Sequence, residues 1–483
     1  MIPKRASGVL MHISSLPSVY SVGDFGADCY RFIDFLAKGG FTYWQVLPFC
    51  MTDECNSPYK SYSAFGGNPW FVSLDLLHED GLLTSEELTH ARQQSPYACE
   101  YERLRRERLP LLARAAGRVR DRSAVLDWLS GHPRIAEFCS FMALKEANGQ
   151  KPWYAWKVCE PDPESVFVWA FIQYAFFTQW QNVRAYANDK GIRLIGDVPI
   201  YVAHDSCDVY AHREQFLLDT NGFPTAVAGC PPDYFSKDGQ LWGNPLYHWA
   251  AMEADGYAWW KERISHMLTL FDGVRIDHFR GLAGYWSIPA DAETAAQGHW
   301  EKGPGEPLVD ALREIAKEKQ GIIIAEDLGD ITEDVAELVC YSTFPGMRVF
   351  QFAFLGDPAS PHLPHNFVRN AVAYTGTHDN NTLLGYVWES REEDRRRMLR
   401  YCGFNGTDWN CRESYDAILR TMYESVADLV ILPIQDLLGF GADTRMNIPG
   451  NPEGNWRFRV TAEQLACIDT AKWRDMAELY GRL

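Results

Sequence analysis

Short apolar, β-branched runs alternate with longer stretches of helical period along most of the chain. Gly8-Val9-Leu10-Met11-His12 predicts a first strand and Tyr43-Trp44-Gln45-Val46-Leu47-Pro48 a second, with an amphipathic helix over 28–39 between them. The alternation then stops. From about 75 to 159 the chain is charged and helical, as in Tyr101-Glu102-Arg103-Leu104-Arg105-Arg106-Glu107-Arg108-Leu109, so an inserted helical subdomain is expected over about 75–165. Strand signals resume at 192–199 after a long aromatic helix and recur at 273–277, 321–327, 348–352, 371–379 and 429–434. Eight strand-then-helix units are the count of a (β/α)8 TIM barrel, an α/β fold, spanning the chain as one catalytic unit. An open doubly wound sheet is the alternative, but it gives no reason for eight, or for polar residues at so many strand ends.

Those ends carry His12, Asp197, Asp277, Glu326, Asp379 and Gln435. In a barrel they meet at one mouth, where catalytic groups come from several strands. Several carboxylates there would repel one another unless something used them, and two chemistries do: oxygen-ligand metal binding and glycosidic bond chemistry. Arg275 and Asp277 are two residues apart on one strand and share a face, so the arginine can hold the carboxylate ionised. A buried Arg–Asp pair that merely fixes a strand end is the competing reading of that stretch.

Composition narrows the partners. Aromatic residues make up 14% of the chain, including 17 Trp and 23 Tyr, which suits stacking on sugar faces, although core packing accounts for most of them. The net charge is −18 with no basic run, so nucleic acid and anionic membrane are poor partners. The apolar run behind the first residues is too short for a signal peptide, and the most apolar segment, 166–177, is interrupted by Gln173 and too short to span a bilayer. Twelve cysteines are scattered without a Cys-x-x-Cys pair. That pattern gives neither a disulfide framework nor a zinc site, and a cytoplasmic protein without metal or cofactor is expected.

Four segments resemble the ordered motifs of the 4-α-glucanotransferases (amylomaltases, or disproportionating enzymes), a branch of the α-amylase superfamily classed as glycoside hydrolase family 77. They are Asp197-Val198-Pro199-Ile200-Tyr201, Gly273-Val274-Arg275-Ile276-Asp277-His278, Ala325-Glu326-Asp327-Leu328-Gly329 and Thr375-Gly376-Thr377-His378-Asp379-Asn380. Ser57-Pro58-Tyr59-Lys60-Ser61-Tyr62, Gly229-Cys230-Pro231-Pro232-Asp233-Tyr234-Phe235, Gly239-Gln240-Leu241-Trp242-Gly243-Asn244 and Arg445-Met446-Asn447-Ile448-Pro449-Gly450 are similar to the same branch, so the likeness runs from end to end. The third-strand Asp is not followed by the Asn-His pair of most α-amylases, and only about fifty residues follow the eighth strand, too few for their C-terminal β-sandwich. Both departures favour the glucanotransferase branch.

The resemblance implies a retaining transfer of an α-1,4-glucan segment to the 4-OH of an acceptor sugar. It assigns Asp277 as nucleophile, Glu326 as acid/base and Asp379 as the carboxylate that grips hydroxyls and stabilises the oxocarbenium-like charge. Arg275, His378, Asp197 and Asn447 are expected in substrate binding, and Tyr59 and Trp242, aromatics on loops where exposure is costly, are candidates for stacking on the glucan. Tyr234 and Phe235 are expected to form an active-site lid within a loop insertion at about 200–250, while Trp242 stands equally as a stacking residue or as loop packing. Asp327 points to the opposite face from Glu326, and Asp272 is expected to cap its strand. Maltooligosaccharides and α-1,4-glucans are the expected partners. A hydrolase of the same linkage is the alternative; a non-catalytic glucan binder should have lost a carboxylate, and a metal-dependent hydrolase would need more histidines than the His378-Asp379 pair supplies.

Overall fold

The barrel strands are short and, apart from Arg193 and Arg348, buried on both faces, as a parallel sheet wrapped in helices requires. The computed structural model describes residues 2, 4–52, 54–232, 237–354, 357–451 and 453–483. Eight parallel strands, β1 (Ala6–Leu10), β2 (Tyr43–Gln45), β3 (Arg193–Val198), β4 (Gly273–Ile276), β5 (Ile322–Ala325), β6 (Gly346–Val349), β7 (Ala371–Tyr374) and β8 (Leu429–Pro433), pair in chain order. Ala6 of β1 lies opposite Leu429 of β8, which closes the barrel.

Two strands start two residues earlier than the sequence reading places them. β1 begins at Ala6, because its partner β8 extends the ladder two residues below Gly8. The sixth strand is Gly346–Val349 rather than 348–352, and Phe350–Phe352 forms a 3-10 turn. Gly346 pairs with Ala325 and Ala371, and a Cβ there would lie 2.4 Å from Asp327 Oδ2, so the close approach needs a glycine. β5 stops at Ala325 and β7 at Tyr374, which releases Glu326 and the 375–379 segment into the mouth.

Between β2 and β3 the chain forms a series of helices, among them Leu74–Glu79, Leu109–Gly117 and Pro133–Ala147, and then the 27-residue helix Pro163–Asp189. Asp162 caps that helix by accepting from the Ser165 amide, with Pro163 in its first turn. The apolar run 166–177 lies inside it, and Gln173 is the reason for the interruption. Its Oε1 accepts from Gly67 N at 2.7 Å and its Nε2 donates to Gly67 O at 2.9 Å. Gln179 treats Ser73 the same way, at 2.7 and 3.4 Å. Two buried amides thus replace a strand partner for the 67–73 backbone, which anchors the loop carrying Tyr59. Among the described residues no helix is long and apolar enough to cross a membrane.

The β3–β4 and β4–β5 connections build a second, antiparallel sheet in the order Gln240–Pro245, Ala226–Cys230, Gly284–Pro289, His299–Lys302. Its edge strand brings Trp242 to the barrel mouth. After β8 the described residues form helices and no strand.

Gln173→Met keeps the shape but leaves the Gly67 amide and carbonyl unpaired in an apolar setting, so the unfolding free energy should fall by about 2–4 kcal/mol. Urea denaturation measures this; an unchanged midpoint would show that Gly67 finds other partners.

Candidate active site

The site starts from strand register. Asp197 on β3 lies directly opposite Arg275 on β4. Arg275 Nη1 donates to both Asp197 oxygens, at 2.8 and 2.7 Å, and Nη2 donates to Asp277 Oδ1 at 2.6 Å. Side-chain exposure rises along this series: 0% for Asp197, 5% for Arg275 and 29% for Asp277. Asp197 therefore sits beneath the cleft floor, where it also accepts from the Tyr59 hydroxyl at 2.6 Å. Burial pushes the Asp197 carboxyl up against the pull of Arg275. Burial also opposes the Arg275 charge, but Asp197 and Asp277 together hold the guanidinium well above its ordinary value.

After Asp277 the backbone turns sharply. His278 adopts a left-handed conformation, φ 52°, uncommon for a residue with a side chain. The turn aims the His278 N–H at Glu326 Oε2, 2.6 Å away, and the Leu328 N–H donates to Oε1 at 2.8 Å. Burial, then the nearby Asp277 charge, raises the Glu326 pKa to about 7; Arg275 and the two backbone donors oppose the shift. Asp327 faces away, accepting from Met347 N at 2.6 Å and Arg348 Nη1 at 2.9 Å. Asp272 closes the opposite end of β4, accepting from Arg184, Asn188 and the Leu194 amide.

Asp379 completes the group from the β7 loop. Asn447 Nδ2 donates to its Oδ1 at 2.6 Å, and His378 Nε2 lies 3.2 Å from its Oδ2. Burial opposes ionisation of Asp379, but His378 and the Asn447 bond outweigh it and bring its pKa to about 2. His378 is raised in turn: burial works against its charge and Asp379 favours it. The His378 ring stacks on Tyr59 with centroids 5.0 Å apart and planes 16° apart, so the third carboxylate is tied through ring contact to the Asp197–Arg275 pair.

An open cleft joins Asp277, His378, Asp379 and Asn447 to walls that include Tyr59, Tyr201, Trp242, Asn244 and Trp456. Trp242 meets the His278 ring edge-on at 4.9 Å, and its Nε1 donates to Gln240. Tyr234 and Phe235 lie outside the described residues. His12 and Gln435, at two further strand ends, line a small adjoining cavity rather than this cleft. Burial and the neighbouring His378 charge lower the His12 pKa to about 3, so its ring is neutral. Among the described residues no group of three or more His, Cys, Asp or Glu side chains could hold a metal ion.

Three contributors escaped the sequence reading. Trp456, at φ 66°, packs against both Tyr59 and His378. Arg445 donates to the carbonyls of Asp379 and Asn447, which locks the two loops together. His278 acts through its main chain, which residue type does not reveal. The arginine lay within a quoted motif beside Asn447, which was the available signal; nothing local marked Trp456.

The family profile described as 4-alpha-glucanotransferase (glycoside hydrolase 77) matches residues 11–465. A 4-alpha-glucanotransferase of Synechocystis is 41% identical over 513 residues, covering 100% of this chain and 99% of that protein. One from Thermus thermophilus is 40% identical over 506 residues, covering 99% of each. Among solved structures, an amylomaltase from Streptococcus agalactiae in complex with acarbose superposes with a TM-score of 0.93 at 36% identity, covering 99% of this chain and 100% of that one.

Glu326 titrates near 7 in the fold and near 4.3 in an unfolded chain, so the proton it retains contributes stability at low pH that is lost as pH rises through about 7. Glu326→Gln removes this dependence. Its stability relative to the parent should rise by on the order of 2 kcal/mol between about pH 5 and pH 8 in urea titrations. A constant difference would mean that Glu326 is already ionised at pH 5.

Proposed function

The chain belongs to the 4-α-glucanotransferase family, which transfers segments of α-1,4-glucan, and on that premise we propose that Asp277, Glu326 and Asp379 carry the transfer by double displacement with retention. The observation that supports this most directly is the contrast between two neighbouring carboxyl groups. Asp277 is bonded to the Arg275 guanidinium, while burial and the neighbouring Asp277 charge keep Glu326 protonated to about pH 7. A nucleophile and an acid must differ in this way.

In the first half, an Asp277 oxygen attacks the anomeric carbon as the glycosidic C–O bond breaks, and Glu326 gives its proton to the departing 4-oxygen. A glycosyl ester on Asp277 results. In the second, the Glu326 carboxylate takes the proton of an acceptor 4-OH, whose oxygen attacks the same carbon and releases Asp277. Asp379, ionised and held by Asn447, supplies negative charge where the ring becomes positive. His378 and Asn447 offer donors to sugar hydroxyls, and Tyr59 and Trp242 offer flat apolar faces. Asp197, with both oxygens occupied by protein donors, is a positioning residue that fixes Arg275 and Tyr59. We read the helices of about 75–165 and the sheet seeded by about 200–250 as additions to a single catalytic barrel. The bacterial relatives and the absence of cysteine pairs favour a cytoplasmic enzyme, and the charge of −18 disfavours nucleic-acid partners.

Incubation with pure maltotriose should give glucose and a ladder of longer oligomers; glucose and maltose alone would mean hydrolysis instead. EDTA should leave this activity unchanged, and a loss restored by a divalent ion would overturn the assignment of the carboxylates to sugar chemistry.

Asp277→Asn should abolish turnover while maltooligosaccharide binding persists. Glu326→Gln should be nearly inactive on maltotriose yet accept a glycosyl fluoride, whose leaving group needs little protonation, so that an adduct accumulates on Asp277 and is seen by mass spectrometry. Asp379→Asn should slow both halves, by roughly 3 kcal/mol in kcat/KM. An adduct on any other residue would disprove the mechanism.

A further inference from the structure

Beside the cleft, three segments far apart in sequence bring aromatic rings to the surface together. Tyr154 and Phe223 are 41% and 45% exposed. The Tyr154 ring stacks on His204, with centroids 4.7 Å apart and planes 12° apart, and Phe223 closes the corner at 5.1 Å from Tyr154 and 5.9 Å from His204. Trp153 packs edge-on behind Tyr154 and His204.

Hydrogen bonds fix the arrangement. His204 Nε2 pairs with the Gly222 carbonyl at 2.8 Å, and Trp153 Nε1 donates to the His204 carbonyl at 2.7 Å. The Trp153 amide donates to Asp205 Oδ1 at 3.1 Å. Gly222 has φ +86°, and a Cβ there would lie 2.6 Å from the Trp153 ring, so the turn presenting Phe223 needs a glycine. Aromatic rings held this rigidly and left half in water are costly unless something covers them.

The position says what covers them. Tyr201 lines the catalytic cleft and His204 follows three residues later, so at most about 11 Å of chain separates the cleft wall from the rings. Lys60, another cleft residue, is near enough for its charge to act on the Tyr154 hydroxyl. The rings therefore lie close to the cleft wall, and an angled pair of neutral rings suits the C–H faces of pyranose units better than a charged partner.

We propose that Tyr154, His204 and Phe223 form a distal binding platform for an α-1,4-glucan chain that extends out of the cleft, making the enzyme favour long chains over short ones. This rests on the transferase reading of the cleft. A short oligosaccharide held at the carboxylates does not reach the platform, whereas amylose does.

The test is the double variant Tyr154→Ala, Phe223→Ala, assayed on maltotriose and on long amylose, and run through native gels containing amylopectin. Loss of the two rings should raise KM for amylose roughly 3- to 10-fold, the worth of one or two aromatic contacts. Constants on maltotriose and the thermal unfolding temperature should not move, and retardation by amylopectin should weaken. Unchanged amylose kinetics and retardation, an equal defect on maltotriose, or conversion of a parent dimer to a monomer on sedimentation would each overturn the proposal. A parent enzyme that failed to disproportionate maltotriose would instead overturn the transferase reading, while gel retardation would still report on the platform.

Discussion

One guanidinium between two carboxylates sets the geometry of this barrel mouth. Arg275 is buried, and its charge is tolerable only because Asp197 and Asp277 both bond to it. Removing Arg275 would leave the buried Asp197 carboxylate without its cation, a loss of about 3–5 kcal/mol. The triad also divides its labour by depth. The deepest member, Asp197, anchors; the middle one transmits; the outermost, Asp277, meets the cleft. Tyr59 ties a separate loop to the anchor, and the Tyr59–His378 stack links β7 to the same point.

The second constraint is main-chain strain. The left-handed turn at His278 directs an N–H toward the carboxyl group of the next strand's end, so Asp277 and Glu326 are positioned by one short piece of backbone. Burial and like charge then move the Glu326 proton affinity up by more than the two donors move it down. Asp379 has the opposite balance, because His378 and Asn447 face it. Glu326 and Asp379 at one mouth are thus pushed in opposite directions, one by burial beside a like charge and the other by the groups bonded to it.

Much of the periphery supports these few atoms. Gln173 and Gln179 give the 67–73 backbone the partners that a strand would have given, and that segment follows the Tyr59 loop. Arg445 ties the carbonyls of Asp379 and Asn447 together. Residues outside the barrel strands thus hold the site in place from a helix and from the chain after β8.

The eight strand-and-helix units were legible in the sequence because strand and helix periods are local properties, readable over a few residues. The carboxylates were legible for a related reason: Asp277, Glu326 and Asp379 each stand just past an apolar run, where a barrel opens to substrate. The order of the motifs then marked the family. Strand register was not legible, since it depends on the partner: β1 starts at Ala6 rather than Gly8 because Leu429 of β8 lies opposite it. The depth of Asp197, the aim of the His278 N–H and the arrival of Trp456 beside Tyr59 were likewise undecided until the barrel closed. Each joins residues tens to hundreds of positions apart, and no local pattern encodes which of many equally apolar or charged neighbours the closed fold will bring within bonding distance.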